Sequence, residues 1–343
     1  MTSDAKGGAN QVPAIAPAAG SASGPQAAAG TRAPRRAIID VGTNSVKLLV
    51  AEIAGSQVIP LCELSEQTRL GRNFYAHQRL QPQAILQTAQ VVARFAAAAA
   101  RWQPATMRVV ATSAVREAVN RHELLAAVQQ TAGATVEIIT GDQEAAWAFQ
   151  GVSADPRFID QPILVLDVGG GSSQFVVGRN LAWNFRQSFP LGTVRLLEQM
   201  RFREPPTPAG LAFCRQELSG FLEASIRPAI EPALRAWPSP VLLVGAGGAA
   251  SLLATMHLGL ASFVRERIES IGLSSDHVVT RLERLWQTSL EERHRIPGLP
   301  ADRADVILTG TAIYAAVMAA FGFASLRVSA RGYRFGALMA TGS

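Results

Sequence analysis

Two stretches of this chain end an apolar strand in an aspartate and then turn through glycine and hydroxyl residues. In the first, AIID (37–40) delivers Asp40 into the turn VGTNS (41–45). In the second, PILVLD (162–167) delivers Asp167 into VGGGSS (168–173). A carboxylate at a strand end can hold a hard cation such as Mg²⁺, directly or through water. A turn of Gly and Ser/Thr leaves backbone N–H groups and hydroxyls free to face an anion. Those groups belong to Gly42, Thr43, Asn44 and Ser45 in one turn and to Gly169, Gly170, Gly171 and Ser172 in the other. A third turn, GAGGAAS (245–251), opens a helix whose first N–H groups, at Gly247 and Gly248, can also meet an anion. Close helix–sheet packing would call for the same glycines. One D-V-G-x-x-S turn alone says little, because glycine turns between strands are common. Here IIDVGTNSVKLLV (38–50) and VLDVGGGSSQFVV (165–177) align without a gap. That is an internal duplication, and it places two phosphate loops face to face across a cleft.

The elements that must position these turns are legible as apolar runs and helical spacing. Strand 37–40, the turn, strand 46–53 and strand 57–70 read as a β-meander. Pro82 opens an Ala-rich helix through Ala100. Strand 107–112, a short helix capped by Ser113, a helix over 121–131, strand 135–140 and a helix through Gly151 follow. The second half repeats the opening: strand 162–167, a strand from Gln174, and a third over 181–188. Pro205, Pro206 and Pro208 precede a helix around 209–226, and two further strands fall at 241–246 and 326–329. Strands alternating with helices predict an α/β protein with mostly parallel, covered sheets. Residues 1–36, rich in Ala, Gly, Pro and Ser, predict a disordered tail. Two lobes then follow, 37–158 and 159–343.

Composition narrows the class. Of 343 residues, 48% are hydrophobic and 17% charged, which excludes a coiled coil or a largely disordered chain, since both need many more charges. Cys62 and Cys214 are too few and too far apart for a disulfide scaffold or a zinc site, and a reducing, cytoplasmic setting fits. The five histidines form no HxxxH pair, so a metal would use oxygen ligands. Residues 306–326 carry no charge, but Thr309, Gly310, Thr311 and Ser325 dilute them, and a buried helix is expected rather than a membrane span. The formal net charge of +6 divides into +3 in residues 1–36 and +3 in the body. Binding of an anion must then come from where a few arginines sit. No nucleic acid or membrane partner is expected.

Seven segments in order resemble the exopolyphosphatase / guanosine pentaphosphate phosphohydrolase family, within the actin-like ATPase superfamily. They are IIDVGTNSVKLLV (38–50), TRLGRNF (68–74), ATSAVREA (111–118), ITGDQEAAWAFQGV (139–152), ILVLDVGGGSSQFVVG (163–178), FPLGTVRL (189–196) and LPADRADVILTG (299–310). The resemblance implies two ribonuclease-H-like lobes with the active site between them. It implies hydrolysis of a terminal phosphoanhydride, in inorganic polyphosphate or guanosine pentaphosphate (pppGpp), with Mg²⁺ or Mn²⁺. Glu144 falls on the family's catalytic glutamate, which activates water, and Asp167 on a metal-binding aspartate. Asn44, Arg116 and the 169–172 loop fall on phosphate-binding positions. A homodimer is compatible with it. Without the resemblance, Glu144 reads first as a carboxylate favoured by a helix's first turn.

The chain departs from the family pattern in places. Gln174 stands where a metal-supporting or catalytic glutamate is usual, and carries no negative charge. Ala249 replaces the usual threonine of the third turn, and Ala330 and Phe335 stand where acids are common. These changes are expected to cluster around the site. They leave a second reading open: a weakened or non-catalytic protein that binds polyphosphate or the alarmone. A sugar or acetate kinase of the same superfamily would fit the fold pattern, but the motifs point away from it.

Overall fold

The computed structural model describes residues 33–55 and 57–340. Residues 1–32, most of the expected tail, lie outside the described residues. Arg35 and Arg36 do not belong to a tail. They begin β1 (Arg35–Val41), where Arg35 Nε meets Glu52 at 3.1 Å and Arg36 donates to the Leu338 carbonyl at 2.7 Å. Counted from residue 33, the body carries +5 rather than +3.

β1, β2 (Ser45–Ala54) and β3 (Gln57–Gln67) form the expected antiparallel meander. α1 (Pro82–Ala100) then returns the chain to β4 (Thr106–Ala111), beside β1 and parallel to it. α2 (Ser113–Glu117) and α3 (Arg121–Ala132) lead to β5 (Val136–Ile138), parallel to β4. Thr112, not Ser113, occupies the N-cap of α2; the Ser113 hydroxyl donates to Glu117 at 2.8 Å instead. α4 (Gly141–Ser153) follows, started by a capping box in which Thr140 and Gln143 satisfy each other's backbone N–H.

The second half repeats the plan. β6 (Ile163–Val168), β7 (Ser173–Arg179) and β8 (Ala182–Phe189) make a second meander. α5 (Thr193–Met200), α6 (Pro208–Phe221) and α7 (Arg227–Arg235) precede β9 (Leu242–Ala246), which lies parallel to β6. α8 (Gly247–Leu258) and α9 (Arg265–Glu269) lead to β10 (Gly272–Ser274). α10 (Ser275–Trp286), α11 (Leu290–Arg293) and α12 (Ile307–Phe321) precede β11 (Ser325–Val328), and α13 (Tyr333–Met339) closes the fold. The sheet orders are β3-β2-β1-β4-β5 and β10-β11-β9-β6-β7-β8. Each sheet is mixed rather than mostly parallel, because each meander contributes antiparallel pairs. β10 adds a third late strand where two were expected. α12 is fifteen residues of buried helix, and no helix among the described residues is long and apolar enough to cross a membrane.

Strand periodicity assigns every inward side chain to one of two layers. Ile39, Val41, Val46, Leu48 and Val50 pack under α1 and α3, whereas Ile38, Leu49, Ala51 and Ile53 face α4 and α13. In the second sheet Leu164, Leu166 and Phe175 face the α6, α8, α10 and α12 side, whereas Ile163, Val165 and Val176 face α4. α4 is therefore buried on two sides. Trp147 and Ala148 join the first sheet's core; Ala145, Phe149 and Val152 join the second's. α13 follows the last strand of the second sheet, yet it completes the core of the first through Tyr333, Phe335, Ala337 and Leu338.

Arg293 is fully buried in the helical half. It donates to the Ala304 carbonyl at 2.9 Å and the Thr288 carbonyl at 2.8 Å, and pairs with Glu204. Arg293→Ala strips two carbonyls of their donors at about 1–3 kcal/mol each. Urea unfolding should show a stability loss of about 3 kcal/mol, and an unchanged midpoint would contradict this role.

Candidate active site between the lobes

The two aspartate turns have the same internal wiring. Gly42 N–H donates to the Ser45 carbonyl at 3.0 Å, and Gly169 N–H donates to the Ser172 carbonyl at 2.9 Å. The duplication seen in the residues is thus a duplication of backbone geometry. The turns also meet. A Cβ on Gly170 would stand 2.9 Å from Thr43 Cβ, and one on Gly171 would stand 2.9 Å from Thr43 Oγ1. Only glycine permits that approach. The N–H groups of Gly170 and Gly171 have no acceptor among the described residues.

Asp40 and Asp167 stand at the ends of the central strands β1 and β6, both buried, and Glu144 is buried in the first turn of α4. Their charges are felt mutually. Burial, reinforced by Asp167 and Asp40, pushes the Glu144 carboxyl up to about 8 against the pull of Arg116. Burial likewise raises Asp167 to about 6 and raises Asp40, in both cases against Lys47. Arg116, on α2, reaches across to donate to the Ile139 carbonyl at 2.9 Å and to Glu144 at 3.3 Å. Asn44 and Thr43 use their carbonyls to fix the 68–74 segment, through Arg69 N–H at 3.0 Å and Gly71 N–H at 2.7 Å.

The third turn joins the same place. Gly247 has a φ of +80°, and a Cβ there would strike Asp167 Oδ1, so the position excludes other residues twice over. Gly248 faces open space. The Tyr314 hydroxyl of α12 sits 3.0 Å from the Leu166 carbonyl and 2.9 Å from that of Ala246, tying β6 and β9 together beside Asp167.

Two side chains that the sequence did not single out also face the aspartates. Lys47 lies across the β1–β2 pair from Asp40, and burial and Arg334 lower its ammonium to about 8. Tyr333 faces the Asp40 carboxyl, although neither its hydroxyl nor Asp40 Oδ1 has a partner in hydrogen-bond geometry among the described residues. A signal for Lys47 was present. It is a charge set between the apolar residues Val46 and Leu48 at the start of β2, and the duplication makes it the counterpart of Gln174. Gln174 pairs with Asp167 across β6–β7 as Lys47 does with Asp40. Its amide nitrogen donates to the Ser172 and Ser188 hydroxyls at 3.1 and 3.2 Å.

The other departures do not all gather at the site. Phe335 is packed in the core beneath the Arg265 guanidinium, with Trp147 and Leu49. Ala330 serves through its backbone, donating to Glu269 at 3.1 Å. Ala249 fits against Gly310 of α12, where a Cβ on the glycine would stand 2.9 Å from its own.

A divalent cation suits this donor set. Asp40 Oδ1 is a buried oxygen without a hydrogen-bond partner among the described residues, and Asp167 is within range of its charge. Among the described residues no three His, Cys, Asp or Glu side chains form a ready cage. Mg²⁺ ordinarily needs none, since it takes one or two carboxylates and completes its shell with water and substrate phosphate.

Two mixed sheets with paired aspartate turns between them define the two-lobed ribonuclease-H-like fold of the actin-like ATPase superfamily. Within it, the chain belongs to the Ppx/GppA phosphatase family, whose model matches residues 49–341. It is 30% identical over 290 residues to exopolyphosphatase 2 of Mycobacterium tuberculosis, covering 81% of this chain and 88% of that protein. The Aquifex aeolicus Ppx/GppA enzyme structure is 28% identical with a TM-score of 0.72, covering 89% of this chain and 98% of that one. An exopolyphosphatase structure from Cytophaga hutchinsonii shares the fold at 24% identity and a TM-score of 0.79, over 89% and 96% of the two chains.

The raised carboxyls set a pH dependence. Glu144 would titrate at 4.5 when unfolded and near 8 when folded, so between those values the folded state holds the extra proton. Stability is therefore full below the lower value and falls as pH rises through the upper one. Thermal unfolding in a chelator should show the midpoint dropping from pH 5 towards pH 8, and Glu144→Gln should flatten that slope. A midpoint that climbs over this range would contradict the assignment.

Proposed function

We propose that this chain hydrolyses terminal phosphoanhydride bonds, releasing phosphate from inorganic polyphosphate or from pppGpp. The observation that carries this reading is the meeting of three buried carboxyls with two glycine turns, the second of which leaves the Gly170 and Gly171 amides without an acceptor among the described residues. Each part has a task in phosphoryl transfer to water, which requires alignment, charge neutralisation and an oriented nucleophile.

Glu144 accepts a proton as water attacks the terminal phosphorus. The bond to the bridging oxygen breaks, and orthophosphate leaves with a chain one phosphate shorter. A carboxyl lifted towards neutral pH is a stronger base than an ordinary one. The free amides of Gly170 and Gly171, with Thr43, Asn44 and Ser45 opposite, hold phosphate oxygens. Arg116 adds positive charge beside Glu144. Asp40 and Asp167 would hold Mg²⁺ or Mn²⁺, which offsets phosphate charge when bound. The names of the M. tuberculosis and C. hutchinsonii relatives support the polymer as substrate.

Gln174 favours a second reading. A neutral amide beside Asp167 holds a cation less well than a carboxylate would, so the protein binds the polymer and turns it over slowly or not at all.

A malachite-green assay on polyphosphate, pppGpp and ATP, with and without Mg²⁺, separates the two. Mg²⁺-dependent release is expected, falling about 10²–10⁴-fold in Glu144→Ala. Undiminished release in that variant would remove Glu144 as the base. Gln174→Glu should lower the Mg²⁺ concentration giving half-maximal rate. Tight polyphosphate binding without turnover in the wild type would establish the second reading.

A further inference from the structure

The second glycine turn is held from behind by α5. Thr193 N–H donates to the Gly169 carbonyl at 2.9 Å, and Val194 and Arg195 N–H donate to the Gly170 carbonyl at 2.8 and 3.1 Å. The third carbonyl, that of Gly171, lies beyond the helix backbone and is taken by Arg195 Nε at 2.7 Å. Three successive carbonyls thus point at α5. A trans peptide sets its N–H opposite its C=O. The N–H groups of Gly170, Gly171 and Ser172 are therefore turned away from α5, as a set of anion-facing amides must be.

Arg195 is spent on this arrangement. Its Nη2 meets both oxygens of Glu117 at 2.6 and 2.7 Å, across the cleft on α2, and its guanidinium stacks 4.3 Å over the Tyr75 ring. Glu117 is steadied in turn by the Ser113 hydroxyl at 2.8 Å. The side chain is nearly buried, with 12% exposed. An arginine whose Nε, Nη2 and ring-facing surface are engaged this way is a brace rather than a phosphate ligand.

We propose that Arg195 is a positioning residue for hydrolysis. Anchored on Glu117 of the opposite lobe, it fixes the Gly171 carbonyl and so aims the Ser172 amide at phosphate when the cleft is closed. The proposal rests on the hydrolytic reading above, and predicts that Arg195 and Glu117 act as one unit.

Steady-state kinetics on polyphosphate for Arg195→Gln, Arg195→Lys, Glu117→Gln and the Arg195→Gln/Glu117→Gln double variant test it. Arg195→Gln should lower kcat by about 10²-fold, the size of effect that a misplaced catalytic geometry produces. Arg195→Lys should resemble it, because an ammonium lacks the fork that joins Gly171 to Glu117. Glu117→Gln should lower kcat in the same direction, and the double variant should be no worse than Arg195→Gln, since one link is being cut. A rise in KM alone for Arg195→Gln, rescue by lysine, or a Glu117→Gln variant as fast as wild type would overturn the proposal and make Arg195 a direct phosphate contact. Calorimetric titration with tripolyphosphate keeps the two readings apart. If wild type binds it without turnover, the hydrolytic reading fails alone; Glu117→Gln, which leaves the Arg195 guanidinium in place, should then bind at least about tenfold more weakly, and equal or tighter binding would refute the brace. If wild type neither binds nor hydrolyses, both fall. Near-ultraviolet circular dichroism identifies any variant that has simply lost its fold, and Glu117→Gln, on a partly exposed side chain, supplies the answer if Arg195 variants do so.

Discussion

Three carboxyl groups buried within range of one another's charge are the constraint around which this molecule is built. Asp40, Glu144 and Asp167 come from β1, α4 and β6, separate elements in two lobes. Desolvation and mutual repulsion both oppose ionising them together. The fold answers with cations at the margin: Arg116 against Glu144, and Lys47 within range of both aspartates. These do not cancel the strain, since all three carboxyls stay above their ordinary values. The cation and phosphate proposed above would offset that repulsion, and without them the interior carries it as pH sensitivity.

Holding those groups in register falls to a middle layer. α4 offers one face to each sheet, so Glu144 cannot move with one lobe independently of the other. The lobes are also joined at the cleft rim, where Arg69 meets Asp305 and Glu198 takes the N–H groups of Asn73 and Tyr75. These contacts are more exposed than the carboxyl cluster and each contributes little alone.

Much of the plan was legible in the sequence because it is written in local signals. Pro82 and the run of small residues after it mark α1 from Pro82 to Ala100 as observed. The aspartate turns were visible because strand, Asp and glycine follow one another directly, and the duplication doubled the signal. What escaped was settled by contacts distant along the chain. β10 has three residues and exists only because it pairs with β11. Arg35 and Arg36 look like the end of a polar tail until Glu52 and Leu338 are placed beside them. Phe335 reads as a lost acid near the site, but α13 turns it into the apolar layer under Trp147. The reading of Ser113 as a cap failed by one position: Ser113 is already the first residue of the helix, and its hydroxyl donates to Glu117 instead of accepting a backbone N–H. Lys47 was passed over because the strand pattern around it was read for its apolar residues alone.

The placement of α13 has a bearing on how the chain is made. The first lobe's sheet is complete by residue 138, and its α1 and α3 face can pack as soon as those residues appear. Its other face waits for Tyr333, Phe335, Ala337 and Leu338, nearly two hundred residues later. Until then Ile38, Leu49 and Val110 lack their final cover, and α4 alone can shelter them. Synthesis runs from the N-terminus, and lobes tend to fold as they emerge. The earlier lobe therefore leaves the ribosome with an apolar surface that only the last helix of the chain can finish covering.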